Sequence, residues 1–161
     1  MQEDFNIRTA VPADAELILS FIKKIAEYEH MSDQVTATAE LLKKSIFEDR
    51  AAFVFIGEFR RAPVGFALCF ENFSTFNGRA GIHLEDLFVD PAMRGKGFGK
   101  ALFQAVAAEA ERRGCERMEW ACLNWNTPSI EFYRHMGATA LDEWTTYRQV
   151  GGQAVLGRQT K

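Results

Sequence analysis

Arg94-Gly95-Lys96-Gly97-Phe98-Gly99-Lys100 is the stretch on which the reading of this chain turns. Glycines at alternate positions let a backbone turn tightly and bring its N–H groups close to a ligand. The pattern that follows is helical, and a helix start adds unpaired N–H groups and the positive end of its dipole. Together these make an anion site, best suited to a phosphate or pyrophosphate. Arg94, Lys96 and Lys100 bring positive charge to the same place. A dinucleotide fingerprint, G-x-G-x-x-G, fails because its third glycine would fall on Lys100. A Walker A loop fails because Arg94 stands where its first glycine belongs and Ala101 follows the lysine. The plainer alternative is a glycine turn with solvated charges.

Outward from the loop, Asp90-Pro91 stops a strand expected over 81–89, and a helix is expected to run to about Arg113 with Gly114 as its C-cap. Phe98, Leu102, Ala105 and Val106 give that helix an apolar face. Upstream, 51–59 and 64–73 are rich in Phe, Val and Ile and read as an antiparallel pair joined at Arg60–Pro63. Before them come a strand at 5–8 and a helix starting near Pro12 with Ile18, Phe21, Ile22 and Ile25 on one face. A second helix follows, capped by Thr36 or Thr38. Downstream, 117–123 reads as a strand and Thr127-Pro128 opens a short helix closed by Gly137. Two weaker strands are expected at 138–141 and 144–150. The expectation is one α/β (α+β) layered domain over residues 1–161.

Composition narrows the function. The chain has 161 residues and a formal net charge of −3, so it lacks the overall basic balance of a general nucleic-acid binder. Cys69, Cys115 and Cys122 are odd in number and form no CxxC pair, and the three histidines have no ligand spacing, so no disulfide framework or metal site is expected. No apolar run approaches the roughly 20 residues of a membrane span, and no signal peptide is visible. A cytoplasmic protein is the default.

R-G-x-G-x-G between a strand and a helix resembles the pyrophosphate loop of the GCN5-related N-acetyltransferases. Leu84-Glu85-Asp86-Leu87-Phe88-Val89 before it, and Trp125–Tyr133 after it, resemble the diamine branch of that family, the spermidine/spermine and thialysine acetyltransferases. The resemblance runs from about residue 5 to 150. It implies a three-layer fold with a mixed sheet of six or seven strands and about four helices. It also implies acetyl-CoA as co-substrate, a small primary amine as acceptor, and a homodimer to which Trp144 contributes. On the resemblance, Tyr133 is the general acid that protonates the leaving thiolate, since a phenol keeps its proton at pH 7. Glu85 helps bind the amine and relay its proton. Leu87, Phe88 and Val89, Arg94 through Lys100 (Phe98 and Gly99 included), and Asn126, Pro128 and Ser129 hold the cofactor. Tyr28, Glu29, Asp86, Glu119, Trp120, Ala121, Asp142 and Trp144 line the amine site. Each has a structural alternative: Tyr133 as a core aromatic, Asn126 or Thr127 as a helix cap, the acids as solvated surface groups. Two other functions stay open: acetylation of a protein or peptide amine, and a non-catalytic acyl-CoA sensor.

Overall fold

The computed structural model describes residues 4–151. They form two compact units, the first ending at Ala121 and the second beginning at Cys122. The first unit holds a five-stranded sheet in the order β1-β2-β3-β4-β5. Its strands are β1 (Phe5–Thr9), β2 (Phe53–Phe59), β3 (Ala62–Ser74), β4 (Arg79–Val89) and β5 (Met118–Glu119). The first four pair antiparallel, and β5 joins β4 in parallel. The fold is the expected mixed α+β type, with fewer strands than the six or seven expected.

Period-2 alternation sorts the sheet into two faces. Val54, Ile56, Phe66, Leu68 and Phe88 point toward α1 (Ala15–Tyr28) and are buried with its Ile18 and Phe21. Phe21 stacks on Phe66 at 5.1 Å between ring centroids. Burying each such aromatic contributes about 1.5–3 kcal/mol. The other face lies under α3 (Phe98–Arg112), whose Phe98 stacks on Phe5 at 4.1 Å and sits against Phe59 at 5.4 Å. At the far end of α3 the Arg113 guanidinium lies over the Phe53 ring at 4.1 Å. The helix therefore runs back along β2 and sets its N-terminus at the sheet edge where β4 ends. Cys69, in the middle of β3, is fully buried.

Several expectations need correction. Thr38 does cap a helix, accepting from Leu41 N, but α2 (Ala39–Leu42) is a single turn that widens into a π-helix over Lys43–Glu48. The segment ends at Glu48, and Arg50 just beyond it turns the chain with φ +53°. β5 is only two residues long, where 117–123 was expected. Residues 138–141 and 144–150 form no strand: strand-forming residues there find no ladder partner among the described residues. The second unit's regular element is α4 (Thr127–His135), begun with Pro128 in its first turn and followed by Gly137 at φ +88°.

Candidate active site

The loop between β4 and α3 needs glycine at two of its three glycine positions. Gly95 and Gly97 have φ +76° and +83°, a region L side chains rarely adopt, whereas Gly99 lies inside α3. A Cβ added at either of the first two would meet nothing within 4 Å, so backbone conformation, not crowding, dictates the residue. The first intrahelical bond runs from Ala101 N to Gly97 O at 3.0 Å. The N–H groups of Phe98, Gly99 and Lys100 thus have no helical acceptor, and Gly97 offers no capping side chain. Lys96 and Lys100 are exposed beside them. These residues fit a diphosphate. Arg94 is committed elsewhere: its Nε donates to Val89 O at 2.8 Å, and its guanidinium lies over the Tyr28 and Phe88 rings at 5.8 and 5.6 Å. It ties the start of the loop to the end of α1.

β4 carries an irregularity that alternation alone would not place. Leu68 pairs with Asp86, but Cys69 pairs with Leu84, so Glu85 is an extra residue, a β-bulge. Below the bulge His83 shares a face with Phe70, on which it stacks at 4.7 Å; above it Asp86 shares a face with Phe88. Both are the α1 face. The bulge therefore turns Glu85 and Asp86 to the same side, toward Glu29 at the end of α1. Asp86, half-buried, is pushed up to about 7 by burial, then by the charges of Glu85 and Glu29. Glu29 is raised by burial and by Glu85. Glu85 is more open and stands 3.2 Å from His83 Nε2. The sequence left His83 as an ordinary histidine; its place beside Glu85 follows from the i, i+2 spacing just below the bulge.

Other expected acceptor residues of this unit have partners of their own. Glu119 faces His83 in register but is held by Arg117 Nε at 3.0 Å and by Asn72 Nδ2 at 3.5 Å. Trp120 meets the Phe103 ring edge-on at 5.3 Å, and Ala121 is exposed. Beyond Ile82 and His83, β4 has no ladder partner on its β5 side among the described residues. Backbone groups of Leu87, Phe88 and Val89 on that edge suit an amide-bearing ligand that pairs like a strand.

In the second unit, Asn126 is buried and its side chain caps α4, accepting from Ser129 N at 3.4 Å. Pro128 lies in the first turn of α4, and Tyr133 is half-buried on that helix with its ring 5.4 Å from Phe132. Asp142 and Trp144 are exposed, with Trp144 N bonded to Leu141 O at 3.2 Å. Among the described residues, no group of three or more His, Cys, Asp or Glu is placed to hold a metal ion, and no helix is long and apolar enough to cross a membrane.

Comparison with known proteins matches this arrangement to a family. A thialysine N-epsilon-acetyltransferase from Caenorhabditis elegans is 36% identical over 152 residues, covering 92% of this chain and 94% of the relative. An L-ornithine N5-acetyltransferase from Arabidopsis thaliana is 29% identical over 192 aligned residues, covering 91% of this chain and 84% of the relative. Among solved structures, an integron cassette protein from the mobile metagenome of V. cholerae superposes with a TM-score of 0.79 at 24% identity, covering 97% of this chain and 99% of that one. The profile of the Acetyltransferase (GNAT) family matches residues 18–138, which include both the glycine loop and α4. The chain belongs to the GNAT family and is an N-acetyltransferase.

Proposed function

We propose that the chain transfers an acetyl group from acetyl-CoA to the primary amine of a small molecule, a diamine, polyamine or thialysine-like compound. The carrying observation is the order of charges along one strand. The carboxylates of Glu85 and Asp86, with Glu29 facing them, come ahead of a glycine loop whose unpaired N–H groups and exposed lysines suit a diphosphate. A cationic amine is drawn to the first and an anionic cofactor to the second. The substrates for which the two relatives are named, thialysine and ornithine, are primary amines of this kind. Arg79, although on the same strand, is paired with Glu116, and His83 stands at ion-pair distance from Glu85, so a short diamine or lysine-like amine fits the cluster as well as a long polyamine.

On this reading the amides of Gly95 through Lys100, with Lys96 and Lys100, hold the diphosphate, and Leu87–Val89 pair with the amide-bearing arm. Asn126, Pro128 and Ser129 add contacts to the cofactor. The thioester is the acyl donor. The carboxylate cluster binds the ammonium and takes its proton, because only a deprotonated amine attacks. Tyr133 returns a proton to the departing thiolate. Residues 1–161 work as one acetyltransferase domain in the cytoplasm. Leu141, Trp144, Tyr147 and Val150, exposed in a segment without strand pairing, supply the contact of a homodimer.

The test is thiol release from acetyl-CoA across diamines, lysine analogues, aminoglycosides and peptides. Release with short diamines or lysine analogues supports the reading. Release with peptides alone replaces the acceptor with a protein amine. Acetyl-CoA binding without release of thiol from any amine makes the chain a sensor.

A further inference from the structure

Within the carboxylate cluster the bulge separates two roles. Glu85 opens to solvent, with 55% of its side chain exposed, and lies at ion-pair distance from His83. Asp86 sits on the apolar floor of the same face: Leu68 is opposite it in register and Phe88 is two residues on. No hydrogen bond or cation among the described residues holds its carboxylate. We propose that Asp86, not Glu85, accepts the proton of the incoming ammonium. This rests on the acetyl transfer proposed above and deepens it.

The surroundings support the assignment. The titratable groups around Asp86 are Glu85 and, past the bulge, His83 on its own strand, Glu29 at the end of α1, and the buried Cys69 thiol of β3, on which the Asp86 charge also acts. Arg94 lies farther along the same face, over Phe88; Arg113 belongs to the α3 face, over Phe53. Like charges and burial bring the Asp86 carboxyl to about 7, where a proton acceptor for neutral solution is best matched. Glu85 and Glu29 attract the cation and keep Asp86 basic. The balance is simple. The ammonium gives one proton to the Asp86 carboxylate, and the freed lone pair forms the C–N bond as the C–S bond breaks. The amine nitrogen then loses a second proton, matched by the one the thiolate takes up. The Asp86 proton passes to solvent, so each turnover releases one amide, one thiol and one proton.

The experiment is the pH profile of kcat/KM for the amine between about pH 5.5 and 9, in the parent and in Asp86→Asn, Glu85→Gln and Glu29→Gln, with acetyl-CoA affinity measured beside it. The parent should show a limb rising through about pH 7. Asp86→Asn should lose that limb and at least about a hundredfold in kcat/KM while binding acetyl-CoA as the parent does. Glu85→Gln and Glu29→Gln should keep the limb but move it to lower pH, because each removes a like charge. Loss of the limb in Glu85→Gln, or its persistence in Asp86→Asn, overturns the assignment and leaves the activity standing. A parent inert toward every amine overturns the activity and the assignment together. Carbon-13 NMR of the aspartate carboxyls gives a reading without turnover: an Asp86 that titrates in the ordinary carboxylate range overturns the proposal.

Discussion

At the residue scale, two side chains carry separable predictions. Tyr133 is offered as the proton donor to sulfur. Replacing it with Phe removes one hydroxyl and leaves the ring against Phe132. Turnover should fall at least about tenfold, with acetyl-CoA affinity kept, as befits a proton-transfer group. Equal rates in steady-state assays would take Tyr133 out of the mechanism. Gly97 is a backbone prediction. At φ +83° a Cβ adds roughly 1–2 kcal/mol of strain, though no neighbour crowds it. Gly97→Ala should lower the melting temperature by about 2–4 °C per kcal/mol and weaken acetyl-CoA binding, read by calorimetry on the same preparation.

At the element scale, the β2–β3 hairpin turns on Arg60 and Arg61, with φ +51° and +68°. Two left-handed residues make a type I′ turn, which favours Asn-Gly. Arg60 has compensation: its Nε reaches Asp4 at 2.9 Å and its guanidinium covers the Phe59 ring. Arg61 makes no side-chain hydrogen bond or ion pair among the described residues, so Arg61→Gly should raise stability by about 0.5–1 kcal/mol in denaturant unfolding. The hairpin itself was legible in the sequence, because β2 and β3 carry dense β-branched and aromatic residues either side of a short polar turn. α3 was legible from its apolar face and its glycines. The strands expected over 138–150 were not, because Trp-Thr-Thr-Tyr states a propensity while a strand needs a partner. Nor could the bulge at Glu85 be read: a one-residue slip in register leaves composition and local pattern unchanged. The sequence supplied Glu29, Glu85 and Asp86 by resemblance; the slip is what turns Glu85 and Asp86 to the side of Glu29.

At the scale of the whole molecule, two aspartates bend stability with pH in opposite directions. Arg8 hydrogen-bonds Asp14 at 2.7 and 2.9 Å and holds its carboxyl below the usual range. That contribution is present above the unfolded value near 3.9 and is lost as pH falls through the lower folded value. Asp86 is raised to about 7, so the folded state is favoured at low pH and loses stability between about pH 4 and 7 as the unfolded chain ionises first. Asp86→Asn should therefore stabilise the protein at pH 8, by an amount on the order of a few kcal/mol, and by nothing near pH 3.5. Urea melts at both pH values check this. Homodimerisation predicts a sedimentation mass near twice 18.2 kDa, with Trp144→Ala shifted toward the monomer.

The burial of Cys69 has a practical sequel. It lies at the centre of β3 with no exposed surface, and its thiol is pushed up to about 12 by burial. A disulfide dye that counts released coenzyme will pass over it while the sheet is closed. Cys115 and Cys122, only half-buried, will label sooner and can be counted as background. Slow labelling of the third thiol then becomes a clock for how often β3 comes away from its neighbours, read in the same cuvette as catalysis.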